Sequence, residues 1–286
     1  MARMDDVAAI VLAGGRSSRM GSPKAALDWH GSTLLRRVTG ILARAVAPGP
    51  VVVVSAPGQS LPELDAAVEV VADEQEGRGP LQGLAAGLAA IGDRAPIAYV
   101  SSTDVPLLHP AFVRRVLGAL DDGADVALPD VGGYRQPLSA AYRVAVRSTV
   151  EELIAADRMR PAFLFERARV CHLGESELLA DATLARLDPE LSSVSNLNEP
   201  ADYERAVALP APEIVVERFG PLATAEPGLR RQKIRAWSLG EAADAAGLSL
   251  GEHVVAALNG DQISRNREVP LVAGDTIAFM VADAGG

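Results

Sequence analysis

Short runs of β-branched and other apolar residues alternate with longer amphipathic segments from residue 7 to about residue 207. This alternation is the sequence pattern of repeated βαβ units, because neighbouring parallel strands need a long crossover, usually a helix, between them. The strands that the pattern predicts are residues 7–12, 51–55, 68–72, 97–101 and 125–128. We therefore predict an α/β domain built on a mostly parallel sheet.

The segments between these strands have the apolar spacing of amphipathic helices. Residues 32–47 are predicted to be helical, with Ser32 as the N-cap. Residues 80–91 open with Pro80, which is favoured at the first position of a helix. Residues 109–120 and 200–208 are expected to form further helices.

The stretch Leu209-Pro210-Ala211-Pro212 separates this region from a second one. Beyond it, the pattern predicts strands at residues 214–219, 254–258 and 276–281, a helix at 238–246 and a turn at Asn259-Gly260. A small mixed sheet with one helix is the expected product. We therefore predict two domains, at residues 1–208 and 213–286.

Charge and hydropathy narrow the classes of partner. A net charge of −10 argues against a protein whose main work is binding nucleic acid, since that requires a broad basic face. No apolar run approaches the about 20 residues of a membrane span, and the N-terminus lacks the layout of a signal peptide. The single cysteine, Cys171, agrees with a reducing compartment, so a cytoplasmic location is expected.

The most informative segment directly follows the first predicted strand and reads Leu12-Ala13-Gly14-Gly15-Arg16-Ser17-Ser18-Arg19-Met20-Gly21-Ser22-Pro23-Lys24. Gly14 and Gly15 allow a sharp turn and a close approach of main-chain N–H groups to phosphate oxygens. Arg16, Arg19 and Lys24 add compensating positive charge. The spacing is neither that of a P-loop nor that of G-x-G-x-x-G, which weakens both of those interpretations. A basic surface loop without a ligand is the alternative.

Asp104 lies just past a predicted central strand, at the sheet edge where ligands of open α/β folds bind. A carboxylate there can hold Mg²⁺ against the phosphates of a nucleotide. The alternative is an aspartate that only shapes the turn. Asp73, which also follows a strand, and Gly79 and Gly83, which open a predicted helix, are expected at the same edge.

These residues resemble a family of nucleotidyltransferases typified by molybdenum cofactor guanylyltransferase. The resemblance spans about residues 7–207 and rests on segment 12–24, Asp73, Gly79-Pro80-Leu81-x-Gly83, Thr103-Asp104-x-Pro106-Leu107, Gln136-Pro137-Leu138 and Ser195-Asn196-Leu197-Asn198-Glu199-Pro200. It implies a Rossmann-like nucleotidyltransferase domain that moves GMP from GTP to molybdopterin and releases pyrophosphate.

The resemblance also implies roles for individual residues. It implies that the nucleotide is bound by Leu12, Ala13, Gly14, Gly15, Lys24, Asp73, Gly79, Gly83 and Asp104. Arg19, Lys24 and Asp104 would be catalytic, and Asp104 would hold Mg²⁺. Asn196 and Asn198 would lie near the metal and the acceptor.

Two departures leave the base preference open. Pro23 stands where many guanylyltransferases of this group have an acidic residue, and Pro-Lys is more typical of cytidylyltransferases and sugar nucleotidyltransferases. An asparagine usual in the loop after the second strand has no clear counterpart in residues 55–58. Cytidylyl transfer and activation of a sugar phosphate therefore remain as alternatives.

The C-terminal region resembles a ubiquitin-like β-grasp (α+β) sulfur carrier, such as the small subunit of molybdopterin synthase or the thiamine-pathway sulfur carrier. The resemblance rests on residues 215–222, Ala257-Leu258-Asn259-Gly260-Asp261, residues 272–277 and the terminal Gly285-Gly286. It implies that Gly286 becomes a thiocarboxylate, with an adenylating enzyme and the large subunit of molybdopterin synthase as partners. A noncatalytic β-grasp appendage, or an inactive transferase serving as a platform for the carrier, are the alternatives.

Overall fold

The computed structural model describes residues 6–14, 23–73, 78–120, 123–225, 227–251, 253–260 and 262–282. The chain divides into two compact units, the first at residues 1–29 with 33–204 and the second at residues 30–32 with 205–286.

The strands that precede residue 205 are β1 (Val7–Leu12), β2 (Asp28–Trp29), β3 (Ser32–Thr33), β4 (Val51–Ser55), β5 (Val68–Ala72), β6 (Ile97–Ser102), β7 (Val126–Val131), β8 (Tyr134–Arg135), β9 (Ser139–Arg143) and β10 (Val170–Leu173). The main sheet has eight strands in the order β10-β7-β9-β6-β1-β4-β5, with β8 paired to β7. Strand β1 lies in its interior, between β6 and β4 and parallel to both. All six residues of β1 are buried, as expected for a parallel strand covered on both faces.

The predicted mostly parallel sheet is confirmed, and it also contains the strands β8, β9 and β10, which the pattern did not predict. Strand β9 runs antiparallel to both β6 and β7, whereas β4–β5 and β7–β10 are parallel pairs. The sequence pattern did not predict β9, because its residues Ser-Ala-Ala-Tyr-Arg lack the β-branched side chains that mark the other strands.

The helices of this part of the chain are α1 (Leu34–Val46), α2 (Pro80–Ile91), α3 (Pro110–Leu117), α4 (Arg147–Ala155), α5 (Pro161–Phe165), α6 (Glu175–Leu179), α7 (Ala182–Leu187) and α8 (Pro200–Val207). The N-cap prediction for α1 is wrong by one residue: the Thr33 side chain, not that of Ser32, accepts the hydrogen bond from Arg36 N. Ser32 and Thr33 form the short strand β3, and the chain turns into the helix only after Thr33.

Helix α2 lies close to the central strand because two of its residues are glycines. A Cβ at Gly83 would lie 3.1 Å from Leu12 Cδ2, and one at Gly87 only 2.6 Å from Ile10 Cγ2. These glycines let the helix backbone approach β1, which places the N-terminus of α2 at the edge where β1 ends.

The second unit contains β11 (Glu213–Arg218), α9 (Pro221–Ala225), β12 (Arg231–Arg235), α10 (Leu239–Ala245), β13 (Val254–Leu258), β14 (Gln262–Ser264) and β15 (Thr276–Val281). Its five-stranded sheet has the order β12-β11-β15-β13-β14. Strands β11 and β15 are parallel, and the other pairs are antiparallel. Apolar residues of the sheet, among them Val216 and Phe279, pack with Leu239 of α10 in one buried core.

Two features of this unit bear on the sequence predictions. The predicted turn at Asn259-Gly260 joins β13 to β14, and both residues have positive φ, +54° and +88°. Strand β12 covers a basic run that the pattern did not identify as a strand. No helix among the described residues is both long and apolar enough to cross a membrane.

Candidate functional site

The carboxyl ends of β1, β4, β5 and β6 meet at one edge of the main sheet, because these strands are parallel neighbours. The loops that follow them carry Gly14, Gln59, Asp73 and Asp104. Ligands of open α/β folds bind at this edge. The first unit therefore has its candidate site here.

An ion pair joins two of the predicted catalytic residues. Lys24 Nζ lies 2.7 Å from Asp104 Oδ2, although the residues are 80 positions apart in sequence. Their side chains are 19% and 15% exposed, so the pair is sheltered but reachable from solvent. The structure thus brings Lys24, at the end of segment 12–24, into contact with the turn after β6.

The second carboxylate oxygen of Asp104 is bound as well. Ser102, the last residue of β6, donates a hydrogen bond from Oγ to Asp104 Oδ1 at 2.5 Å. Hydrogen bonds to an ionised carboxylate are short and stronger than neutral ones. Sequence reasoning did not single out Ser102, because a serine at a strand end carries no signal of its own.

The main chain of the Asp104 turn is held from two sides. Arg37 of α1 is buried and donates from Nε to Pro106 O at 2.5 Å, with its guanidinium 5.5 Å from the centroid of the Trp29 ring. Leu197 N donates to Asp104 O at 2.9 Å. Since Leu197 stands between Asn196 and Asn198, that segment runs beside the Asp104 turn.

The start of the glycine-rich segment is tied to the loop after β4. Ala13 N and Gly14 N both donate to Val54 O, at 2.8 and 3.2 Å. The Gln59 carboxamide bridges the two loops: its Nε2 donates to Ala13 O at 3.1 Å, and its Oε1 accepts from Ala56 N at 2.9 Å.

Two details follow from this bridge. A Cβ at Gly14 would lie 3.2 Å from Ala56 N, so glycine suits the close approach of the loops. The sequence analysis found no counterpart of the family asparagine in residues 55–58 and did not single out Gln59, which lies one position further along the same loop.

The loop before α2 contacts a second, unpredicted loop. Gly79 has φ +95°, a conformation that favours glycine, and a Cβ there would lie 3.8 Å from Met159 O. Arg78 Nη2 forms an ion pair with Asp157 Oδ1 at 2.5 Å. Loop 157–160 therefore lies beside the start of α2, a contact that the sequence did not predict.

The other predicted residues differ in how the structure places them. Asp73 follows β5 and donates from its main-chain N to Ser55 O at 2.7 Å, which sets it at the same sheet edge. Gly83 faces the Leu12 side chain, so helix–sheet packing accounts for a glycine there. Gly15, Arg19, Gly285 and Gly286 lie outside the described residues.

The buried tyrosines of β6 and β9, Tyr99 and Tyr142, are not candidates for acid–base chemistry. Burial raises the pKa of Tyr99 and of Tyr142 well above the usual tyrosine value, so both hydroxyls stay protonated. Tyr142 Oη donates to Pro137 O at 2.8 Å and thereby holds the Gln136-Pro137-Leu138 segment at the start of β9.

Gly14 and the Lys24–Asp104 pair thus lie at the carboxyl edge of the parallel strands, where open α/β folds bind their ligands. The family model described as the MobA-like NTP transferase domain matches residues 9–170, and the chain belongs to that family. The prediction that the chain is a nucleotidyltransferase is thereby confirmed.

Two curated relatives are similar over most of their length. A probable molybdenum cofactor guanylyltransferase of Mycobacterium avium (strain 104) is 37% identical over 187 residues, which are 63% of this chain and 92% of the relative. A molybdenum cofactor guanylyltransferase of Desulfosudis oleivorans is 31% identical over 206 residues, 72% of this chain and 96% of that protein.

A solved structure shares the fold. Molybdopterin-guanine dinucleotide biosynthesis protein A from Archaeoglobus fulgidus superposes with a TM-score of 0.55 at 23% identity, covering 70% of this chain and 96% of that one. The likeness agrees with the α/β nucleotidyltransferase fold described above.

Proposed function

We propose that the first unit transfers GMP from GTP to the terminal phosphate of molybdopterin and releases pyrophosphate. The observation that carries the proposal is the Lys24–Asp104 pair, held between the glycine-rich segment and the turn after β6. The guanylyltransferase names of the relatives support the choice of nucleotide and acceptor.

In the proposed reaction an oxygen of the acceptor phosphate attacks the α-phosphorus of GTP in line. A new P–O bond forms as the bond from the α-phosphorus to the bridging oxygen breaks, and that oxygen leaves with pyrophosphate. The enzyme supplies positioning and charge neutralisation, and no covalent enzyme intermediate is needed. Lys24 and Arg19 stabilise the negative charge that builds on the phosphates.

The nucleotide lies on the loops at the sheet edge. In this proposal Leu12, Ala13, Gly14 and Gly15 line it. Asp73, Gly79 and Gly83 bound the same site. The bridge that Gln59 makes between Ala13 and Ala56 supports a fixed start for this segment.

The donor set suits Mg²⁺ held jointly by protein and substrate. Among the described residues, no three His, Cys, Asp or Glu side chains cluster in a way that would hold a metal ion alone. Mg²⁺ in phosphoryl-transfer sites is commonly bound by one or two carboxylates plus substrate phosphates. Asp104 Oδ2 already accepts a cation, the Lys24 ammonium, at 2.7 Å.

Asp104 would therefore hold the metal together with phosphate oxygens. Bound there, Mg²⁺ would neutralise charge on the phosphates. Lys24 then pairs with the phosphates instead of with Asp104.

A nucleotide panel tests the base preference. Purified chain is incubated with Mg²⁺, molybdopterin and, in turn, GTP, CTP, ATP or UTP, and pyrophosphate release is measured. We expect acceptor-dependent release with GTP. A preference for CTP would refute the guanylyl assignment and make Pro23 the first residue to exchange. The panel is repeated with a sugar phosphate in place of molybdopterin, and release only with that acceptor would refute molybdopterin as substrate.

We further propose that the second unit, within the predicted domain 213–286, is a ubiquitin-like β-grasp sulfur carrier. Its strand order β12-β11-β15-β13-β14, with β11 and β15 parallel at the centre and α10 packed on the sheet, supports this fold. The carrier function rests on Gly285 and Gly286, and its partners would be an adenylating enzyme and the large subunit of molybdopterin synthase.

Intact mass measurement of the full chain from cells with an active pathway tests the carrier. We expect a form in which one oxygen of the C-terminal carboxylate is replaced by sulfur, and its loss in a Gly286→Ala variant. An unmodified mass under those conditions would favour a noncatalytic appendage. The proposal includes a cytoplasmic location, which the single cysteine of the chain supports.

A further inference from the structure

The two oxygens of the Asp104 carboxylate have different kinds of partner. Oδ2 contacts the Lys24 ammonium, the end of a long flexible side chain. Oδ1 accepts from Ser102 Oγ, a hydroxyl only one rotatable bond from the backbone. One oxygen is thus bound by a movable cation and the other by a short, fixed donor.

The backbone that carries Ser102 is itself firmly placed. Ser102 pairs with Leu12 in the parallel β1–β6 ladder, at the point where β1 ends and the glycine-rich segment begins. The neighbouring Ser101 is fully buried and donates from Oγ to Ser102 O at 3.1 Å. Because Ser102 is fixed in the sheet, its hydroxyl fixes the position of the Asp104 carboxylate relative to the sheet.

We propose that Ser102 is a positioning residue that fixes the Asp104 carboxylate, so that Oδ2 faces the site and receives the divalent cation that arrives with the nucleotide. The inference rests on the proposed function, in which Asp104 holds that cation. Lys24 occupies Oδ2 in the structure, and its departure to the phosphates opens this oxygen without releasing the other.

Loss of the hydrogen bond from Ser102 to Asp104 should change the affinity for the metal by a measurable amount. Hydrogen-bond partners that orient a metal-binding carboxylate commonly change metal affinity by about 10–100-fold when they are removed. In Ser102→Ala the carboxylate is free to rotate, so the metal must order it on binding. Ser102→Thr keeps the hydroxyl and is expected to restore most of the affinity.

The experiment titrates Mn²⁺ into the full chain with a nonhydrolysable GTP analogue and follows free Mn²⁺ by electron paramagnetic resonance. We expect Ser102→Ala to bind Mn²⁺ at least about 10-fold more weakly than the unaltered chain, and Ser102→Thr to bind within about threefold of it. Ser101→Ala, whose hydroxyl contacts main chain and not the carboxylate, is the matched control and is expected to stay within about twofold.

A second readout separates positioning from general damage. At saturating Mg²⁺ the turnover of Ser102→Ala should recover toward that of the unaltered chain, while its half-saturating Mg²⁺ concentration rises. Equal Mn²⁺ binding by Ser102→Ala and the unaltered chain would overturn the positioning role of Ser102 and would leave the proposed function unaffected. Unchanged binding in Asp104→Ala would overturn the metal role of Asp104 and the inference with it.

Discussion

Each unit contains an aspartate whose carboxylate is fully engaged, and the two aspartates differ in what engages them. Asp104 in the first unit is 15% exposed and binds an ammonium and a hydroxyl. Asp275 in the second unit is 3% exposed and accepts from Asn259 Nδ2 and Val272 N, both at 2.9 Å.

This difference between Asp104 and Asp275 shows which of the two carboxylates can exchange a partner for a ligand. Amide donors fixed by a hairpin and a turn hold Asp275 in place, and its burial leaves no room for a ligand. The Lys24 ammonium at Asp104 is a charged group that phosphate oxygens can attract away. The same side chain therefore stabilises a fold in one unit and is suited to chemistry in the other.

The largest expected effect comes from removing either Lys24 or Asp104, whose contact phosphate oxygens can replace. Lys24→Ala and Asp104→Ala should each lower kcat/KM for pyrophosphate release by about 10²–10³-fold, as is typical when one preorganised electrostatic group is lost. Circular dichroism should be unchanged, because neither side chain packs in the core.

Lys233→Ala is the matched control for the first prediction. Lys233 is the other lysine of the chain and pairs with Glu213 at 2.7 Å, with its side chain 71% exposed. It should retain full activity. Near-normal turnover in Lys24→Ala would contradict the role given to this residue.

Removing the other aspartate should cost stability. Asp275→Ala leaves the buried N–H of Val272 and the Asn259 amide without their acceptor, which costs roughly 1–3 kcal/mol for a group of this kind. Thermal unfolding followed by circular dichroism measures it. Asp244→Ala, which breaks an exposed pair with Arg267, should not shift the midpoint, and an equal shift in both variants would refute the distinction.

A smaller effect is expected at the bridge between the two loops. Gln59→Ala should raise KM for GTP by about tenfold and change kcat little, since one hydrogen-bonded anchor of the binding loop is lost. Gln59→Glu keeps the acceptor for Ala56 N but loses the donor to Ala13 O, so it should fall between. Gln232→Ala on β12 serves as the control, and an unchanged KM in Gln59→Ala would exclude a positioning role.

The smallest effect concerns acid stability. Hydrogen bonds from Arg169 lower the pKa of Asp125 below its ordinary value of 3.8. Because the pKa is lower in the folded state, the pair stabilises the fold at neutral pH, and this contribution is lost as the pH falls from about 4 through the lowered pKa. In urea unfolding below about pH 4, the free energy of unfolding of Asp125→Asn should therefore fall less steeply with decreasing pH than that of the unaltered chain. The same pH dependence in both proteins would contradict this.

Much of the fold follows from local pattern. The predicted bounds of β1, β4, β5, α2, β13 and β15 agree with the structure, because apolar periodicity and flanking turn residues mark such elements directly. Strand β12 was missed because alternating basic residues on an edge strand look like a solvated face. The antiparallel insertion of β9 depends on pairing with β6 and β7, which no local pattern specifies.

The site was predictable in part. Lys24 and Asp104 stood out by residue type and by their positions after strands, and the structure brings them together. Ser102 and Gln59 did not, since their importance comes from a hydrogen bond to a group whose position only the fold determines. Positioning residues of this kind have ordinary sequence surroundings.

The most direct test of nucleotidyl transfer follows the fate of each phosphate of GTP. Full-length chain is incubated with Mg²⁺, molybdopterin and GTP radiolabelled at either the α- or the γ-phosphate. We expect the α-label in a product with the mass of molybdopterin plus GMP less one water, and the γ-label in pyrophosphate. Release of the γ-label as inorganic phosphate, with the α-label remaining in GDP, would contradict attack at the α-phosphorus and the function proposed for this site.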